Sequence, residues 1–295
     1  MQLFLQVTGF GLVDASILAL AAVGFTLQWG VGKFINLAYV YLMMLSAFLD
    51  YTLTQTLHLE FWLSAALSIG AVGLVSMGMN HYLVLPLARR GVRFFDLLIA
   101  GFGVGIVVEF GLQAIYGENF FQIKVAGTRP LKILGMHLTP SQLVIIGIAV
   151  LVMVMLHVLL TKTDIGRAIR AISVNPTLAQ SCGVRVDFVL NLLWLMSGVL
   201  CGLSGLVLAF DTSLFNSGTS AVELPFILAI AMVGGIGSAY GAMGAALLIG
   251  LVSNWVDIVN PQYGIVVAVF AGGLVLLLRP EGLFRSPMAS LAGSV

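Results

Sequence analysis

The sequence predicts an all-α polytopic membrane protein with eight to nine transmembrane helices. Its 295 residues are 60% hydrophobic and only 8% charged, and the mean hydropathy is +1.10. Soluble domains carry about 25% charged residues, so a water-soluble fold of this size could not bury so much apolar surface. We interpret residues 1–295 as a single transmembrane domain. The net charge of +1 gives no indication of nucleic-acid binding.

The individual spans follow from apolar runs of about 20 residues, the length that a helix needs to cross a ~30 Å hydrocarbon core. The predicted spans are 4–27, 34–53, 61–85, 96–116, 141–160, 188–210 and 263–278. Pro86 is expected to end the third span. The segment 117–140 is rich in turn-forming residues and is predicted as an extracytoplasmic loop or short hairpin.

The region 224–259 is too long for one simple span, and glycines divide it. We predict a short descending helix, a glycine-rich break and a rising helix, which together make either two crossings or one crossing and a re-entrant piece. Irregular backbone at membrane depth occurs only where it is buried in protein or lines a cavity. Gly234, Gly235 and Gly237 are therefore candidate residues of a substrate pathway.

The distribution of lysine and arginine predicts the orientation of the chain. If the loops 28–35, 86–95 and 161–187 and the C-terminal tail face the cytoplasm, all but three of the thirteen basic residues lie on that side. An excess of basic residues marks cytoplasmic loops. The N-terminus is then outside and the C-terminus is cytoplasmic.

The segment 161–188 is the longest polar stretch and is predicted to form two short helices on the membrane surface. Asp164 is expected to cap a helix that starts near residue 165. Asn175 followed by proline indicates a second helix start, and Gly183 indicates its end. Arg167 and Arg170 are three residues apart and share a helix face, where they could pair with acidic residues of a partner or with lipid headgroups. We interpret this segment as a docking surface.

Ionisable residues inside a membrane usually face a cavity or a partner. Glu109 lies well inside the fourth span, so it is a candidate for a pathway carboxylate, with a structural hydrogen-bonded role as the alternative. Asp14 is expected to be structural or interfacial, and Asp50 and Asp257 are expected to be solvated near span ends. The sequence has no spacing typical of a metal site and no phosphate-binding loop. We therefore predict no metal, no cofactor and no enzyme activity in this chain.

Four stretches resemble one family, the LivH-type permeases of branched-chain amino acid ABC importers. Residues 166–189 (GRAIRAISVNPTLAQSCGVRVDFV) resemble the cytoplasmic coupling segment of that family. Residues 231–251 (AMVGGIGSAYGAMGAALLIGL), 19–40 (ALAAVGFTLQWGVGKFINLAYV) and 278–284 (LRPEGLF) resemble its other motifs in the same order along the chain.

The resemblance implies a membrane subunit that pairs with a second permease subunit. Two cytoplasmic ATPase subunits would hold ATP and magnesium, and an extracytoplasmic solute-binding protein would deliver the substrate. The implied function is import of branched-chain amino acids or related small polar solutes across a bacterial inner membrane. The residues implied to couple the chain to the ATPase are Asp164, Gly166, Arg167, Arg170, Asn175, Ala179 and Gly183.

The chain departs from the family pattern just after Asn36, where Leu37-Ala38-Tyr39-Val40 replace Phe-Ala-His/Gln-Gly. We therefore include Asn36 and Tyr39 in the predicted substrate pathway. The family analogy favours a pathway at a subunit interface over one within this chain. Two alternative functions stay open: an ATP-independent secondary transporter or channel, and a membrane scaffold without transport.

Overall fold

The computed structural model describes residues 2–123, 131–133, 136–212, 214–235, 237–258, 260, 263–279 and 282–283. Within these residues the chain is nearly all helical, with one short β-hairpin. The helices are α1 (Gln2–Gly32), α2 (Ala38–Gln55), α3 (Phe61–Met79), α4 (Leu85–Arg89), α5 (Phe94–Tyr116), α6 (Pro140–Lys162), α7 (Asp164–Val174), α8 (Pro176–Ser181), α9 (Val186–Thr212), α10 (Thr219–Gly234), α11 (Ala239–Asp257) and α12 (Tyr263–Leu278). A π-helical turn, Asn80–Val84, joins α3 to α4.

The lengths and apolar composition of these helices confirm the polytopic membrane fold. In the described part of the chain, six helical stretches are long and apolar enough to cross a bilayer, and α10 and α12 are shorter apolar helices. The predicted hairpin is also present, because β1 (Leu131–Ile133) pairs with β2 (Met136–Leu138) in antiparallel register. The broken region 224–259 forms α10 and α11 as expected.

Helix α1 is the centre of the bundle and lies antiparallel to α11 over most of its length. Midway along α1, a Cβ on Gly250 would lie 2.7 Å from the Cα of Ala15, and in the last turn of α1, a Cβ on Gly30 would lie 2.6 Å from the Cα of Gly237. These glycines let the two backbones touch, which is how helices associate in lipid. This contact packs the N-terminal helix against a helix from the last third of the chain.

Helix α9 forms the second layer and packs on α2 and α3, again through glycine. A Cβ on Gly198 would lie 2.5 Å from the Cβ of Ser76 on α3. A Cβ on Gly205 would overlap the backbone carbonyl of Met43 on α2. Such close approaches leave no space for a side chain, so α2, α3 and α9 form one rigid unit.

The bundle has two chemically different ends. We call the end that carries the loops 33–37, 90–93, 163–185 and 235–238 the basic end. Arg89 pairs there with Asp187, and the backbone N–H of Leu283 donates to the carbonyl of Val233 over 2.8 Å. The opposite end is closed by packed aromatic rings from residues 48, 51, 116, 121 and 215.

The prediction that Pro86 ends the third span is wrong. The helix widens into the π-turn, in which the N–H of Leu85 donates to the carbonyl of Asn80, five residues back. Pro86 directly follows the π-turn, and a local π adjustment of this kind lets a membrane helix tolerate the missing N–H of proline. The helix therefore continues through the proline to Arg89.

Candidate functional site

The helices α7 and α8 form a compact element on the basic end, which we call the surface element. The predicted cap at Asp164 is wrong by one residue, because Thr163 is the N-cap and its Oγ1 accepts a hydrogen bond of 3.2 Å from the N–H of Gly166. Asp164 is the first helical residue and forms an ion pair with Arg167 on the exposed side. An acidic side chain in the first turn is favoured by the helix dipole.

The surface element is fixed to the end of α6 by two residues. Gly166 is buried, and a Cβ there would overlap the carbonyl oxygens of Leu159 and Leu160. One turn later, the Arg170 guanidinium donates to the carbonyl of Leu160. That carbonyl belongs to the last turn of α6, where helical acceptors have no partner of their own. Arg170 therefore holds two helices together, whereas Arg167 pairs only within α7, on the exposed side.

The second helix of the element begins and ends as the sequence predicts. Asn175 Oδ1 accepts a hydrogen bond of 3.0 Å from the N–H of Leu178, with Pro176 at the first helical position. Gly183 has a φ of +87°, the left-handed conformation that ends helices. Ala179 is buried in a small apolar cluster that also contains Trp194 of α9, so α8 is seated on the bundle.

The exposed side of the surface element carries two apolar residues that were not predicted from the sequence. Val174 at the end of α7 and Leu178 on α8 are 55% and 62% exposed. Ile169 and Ile172 on the opposite face are buried. Because the element lies at the end of the bundle, these two exposed side chains are beyond the apolar spans. The sequence signal was the spacing of Ile165, Ile169 and Ile172, which marks one apolar helix face and leaves Val174 and Leu178 outside it.

Asn36 and Tyr39 are completely buried in the single chain. The Asn36 amide donates to Gln28 Oε1 over 3.0 Å, and its oxygen accepts from the N–H of Ala38 over 3.2 Å. The Tyr39 hydroxyl donates to the carbonyl of Ser197 over 3.4 Å. Their polar atoms therefore connect α1, α2 and α9, and their role in a substrate pathway stays a prediction.

Glu109 lies on α5, which is a peripheral helix. Gly101 and Gly105 bring α5 close to α2, whereas Val107 and Phe110 are exposed on its outer face. Glu109 is half-buried between these two faces. The structure therefore places this carboxylate on α5 one turn after Gly105, whose Cβ position meets Ala38 and Tyr41 of α2, and its role in a substrate pathway stays a prediction.

The three predicted pathway glycines lie in the break between α10 and α11. Gly235 and Gly237 have φ values of +90° and +79°. Gly234 leaves no space for a Cβ, which would lie 2.6 Å from the backbone N of Ala242. Because Gly237 touches Gly30 in the last turn of α1, the break is at the basic end of the bundle.

Three other carboxylates in or near the bundle interior have structural contacts. Asp14 accepts a hydrogen bond of 2.7 Å from Asn254, which ties α1 to α11. Asp50 is completely buried and accepts one of 2.7 Å from Ser64 on α3. The expectation that Asp50 is solvated at a span end is therefore wrong, because α3 covers it. Asp257 accepts from the N–H of Gly264 over 2.9 Å.

These features define a polytopic membrane protein: helices long and apolar enough to cross the bilayer, tight glycine packing, and a rigid surface element at one end. Among the described residues, no group of three or more His, Cys, Asp or Glu side chains could hold a metal ion.

Residues 7–278 match the family described as "Branched-chain amino acid transport system / permease component", and the chain belongs to this family. It is 26% identical over 302 residues to the high-affinity branched-chain amino acid transport system permease protein BraD of Pseudomonas aeruginosa, covering 96% of each chain. It is 27% identical over 288 residues to the probable branched-chain amino acid transport permease protein LivH of Methanocaldococcus jannaschii, covering 92% of this chain and 90% of the relative. The resemblance seen in the sequence is confirmed, and the family is one of transport permeases and not of enzymes.

A third relative has a different name. The fructose import permease protein FruF of Bifidobacterium longum is 31% identical over 161 residues, which are 52% of this chain and 42% of the relative.

Proposed function

We propose that this chain is the transmembrane permease subunit of an ATP-driven importer for branched-chain amino acids or related small polar solutes. Its proposed partners are a second permease subunit, two cytoplasmic ATPase subunits that bind ATP and magnesium, and an extracytoplasmic solute-binding protein. Family membership and the names of the BraD and LivH relatives support this assignment. The FruF relative is named for a sugar, which is why the proposal extends to other small polar solutes.

The single observation that carries the proposal is the exposed apolar pair of the surface element. Val174 and Leu178 project from an element that is itself firmly attached to α6 through Gly166 and Arg170. An exposed apolar patch with a polar rim is typical of a protein interface. In the proposed complex the pair inserts into the ATPase, and Arg167 with Asp164 forms the polar rim.

Attachment to the bundle makes the surface element suitable for transmitting movement. Thr163 and Asn175 cap its two helices and Gly183 ends it, so the element moves as a rigid body. Ala179 seats it on α9. A displacement imposed by ATP binding is then passed to α6 and α9 without being absorbed locally.

The basic end is proposed to face the cytoplasm of a bacterial inner membrane, with the N-terminus outside and the C-terminus inside. The excess of lysine and arginine at that end supports this orientation. It also puts the surface element on the side where ATP is available.

The substrate pathway is proposed to lie at the interface with the second permease subunit. Glu109 would face it from the side of α5, and Asn36 and Tyr39 would contribute when the unit of α2, α3 and α9 moves relative to α1. The angle between α10 and α11 would change at the basic end through Gly234, Gly235 and Gly237, because glycine can adopt many backbone conformations.

Substitution of Leu178 by Asn tests the proposed ATPase contact. Burying a leucine contributes about 1.5–3 kcal/mol, so the variant should co-purify with at least about tenfold less ATPase, which corresponds to about 1.4 kcal/mol. Gln180→Asn, on the same helix and also exposed, is the matched control and should keep its ATPase. Equal co-purification of both variants would exclude Leu178 as the contact. Uptake that continues after ATP depletion would instead favour the secondary transporter.

A further inference from the structure

A cleft on the side of the basic end is not used by the proposed coupling mechanism. It has a volume of about 330 Å³ and is lined by His81, Tyr82, Leu85, Pro86, Arg89 and Asp187. The π-turn forms one wall and the start of α9 forms the other. Because π-turns are uncommon and occur often at functional sites, the cleft is a candidate for ligand binding. We propose that it binds the headgroup of an anionic phospholipid.

The depth of the cleft matches the headgroup layer of the membrane. At 1.5 Å per residue, the helix rises roughly 30 Å between Phe61 and Tyr82, which is about the thickness of the hydrocarbon core. Tyr82 is 81% exposed, and tyrosine is enriched where the apolar core meets the headgroups. The cleft therefore opens into the membrane interface.

The apolar surface beside the cleft suits acyl chains. Leu67, Leu74 and Val75 are exposed on α3 and lead along the helix towards Tyr82. Gly78 has no side chain and leaves this apolar surface open. The Tyr82 ring lies 4.0 Å from the position that a Cβ on Gly78 would occupy. Leu85 and Pro86 continue the apolar lining into the cleft.

The arginine that lines the cleft has donors that suit a phosphate. Arg89 donates from Nη2 to Asp187, and the guanidinium has five N–H donors. Among the described residues it has no other hydrogen-bond partner. Its side chain is 67% exposed, so the remaining donors are accessible. The segments 85–96 and 183–189, which border this corner, carry four arginines and two aspartates, so an anion is favoured over a zwitterionic headgroup.

The π-turn positions the two aromatic side chains of the cleft. Asn80 is buried and its amide donates to Asn191 of α9 over 2.8 Å, and Asn191 also contacts His81 Nδ1 at 3.3 Å. The rings of His81 and Tyr82 are 4.9 Å apart in an edge-to-face arrangement. This arrangement keeps the Tyr82 hydroxyl on the open side, where it can donate to a phosphate oxygen.

Native mass spectrometry of the purified full-length protein tests the proposal, with phosphatidylglycerol and phosphatidylcholine added in turn. The wild type should retain phosphatidylglycerol preferentially, and Arg89→Gln should reduce its occupancy by about fivefold, the contribution of one arginine near an anionic surface. Arg93→Gln is the matched control, because Arg93 pairs with Asp96 at 3.6 Å and does not line the cleft. Equal loss in both arginine variants would show diffuse surface charge and overturn the proposal.

Asp187→Asn separates lipid binding from a purely structural tie between α4 and α9. Removal of the carboxylate frees Arg89 and removes a repulsive charge, so phosphatidylglycerol occupancy should be unchanged or higher. If the Arg89–Asp187 pair only holds the cleft together, Asp187→Asn and Arg89→Gln should lose lipid equally, which would refute the proposal. Displacement of the lipid by millimolar inorganic phosphate would show that the cleft recognises free phosphate, and this result would also overturn it.

Discussion

Gly166→Ala gives a sharp test of how the surface element is attached. A Cβ at this position would overlap the carbonyl oxygens of Leu159 and Leu160, and it would lie 2.6 Å from the carbonyl carbon of Leu160. Optimal non-bonded separations are about 3.5–4.0 Å, so α7 has to withdraw from α6 by roughly 1 Å. The contacting atoms are backbone and cannot rotate away.

Two opposing effects set the magnitude. Overpacking of this kind costs about 1–3 kcal/mol, and withdrawal of α7 also weakens the bond from Arg170 to the carbonyl of Leu160. The gain in helix propensity from glycine to alanine offsets at most about 1 kcal/mol. The net loss of about 1–2 kcal/mol should raise the undocked population of α7 by roughly 5–30-fold.

Limited trypsin digestion of the full-length protein in nanodiscs measures this population. Cleavage after Arg167 requires α7 to open, and its rate follows the open fraction when opening is fast. Gly103→Ala on α5 is the control, because nothing lies within 4 Å of its Cβ position. An unchanged or slower cleavage rate in Gly166→Ala, relative to this control, would refute the reasoning about the α6–α7 contact.

Two further predictions concern the interior of the bundle. Gly205→Ala should lower the melting temperature in detergent, because its Cβ would overlap a backbone carbonyl of α2 at a cost of about 1–3 kcal/mol. The control variant Gly103→Ala should melt at the wild-type temperature. Equal melting temperatures for the two variants would contradict the close packing of α2 and α9. Gln28→Leu should cost about 1–3 kcal/mol by leaving the Asn36 amide without its acceptor. The double variant with Asn36→Leu should recover part of that loss, and additive losses in a thermal-melt cycle would refute the coupling.

Much of the fold was predictable because hydropathy and local capping act over short distances. The last span was placed at 263–278, where α12 forms, since the flanking polar residues define both ends. Asn175 was identified as a cap because asparagine is a preferred N-cap and proline is favoured at the first helical position. Thr163 and Asp164 could not be separated by the same logic, because threonine and aspartate are both good N-caps.

The site was less predictable because its decisive contacts are between distant parts of the chain or between backbones. The position of Asp50 near a span end suggested solvation, but Ser64 of α3 covers it, and no local pattern reports that. Arg167 and Arg170 are three residues apart and were predicted to share one helix face. In the structure Arg167 is exposed and pairs with Asp164, whereas Arg170 donates to the carbonyl of Leu160. The π-turn at 80–84 has no recognised sequence signature in this chain.

The glycine contacts determine how a displacement of the surface element would travel. Gly166 puts α7 against the backbone of α6, and Gly30 and Gly237 put α1 against the start of α11. Contacts between backbones have no side-chain rotamers that could absorb a shift, and packed interfaces switch between arrangements instead of deforming gradually. A push on Leu178 at the surface is therefore expected to move whole helices, and the positive-φ glycines between α10 and α11 provide the place where the bundle can bend.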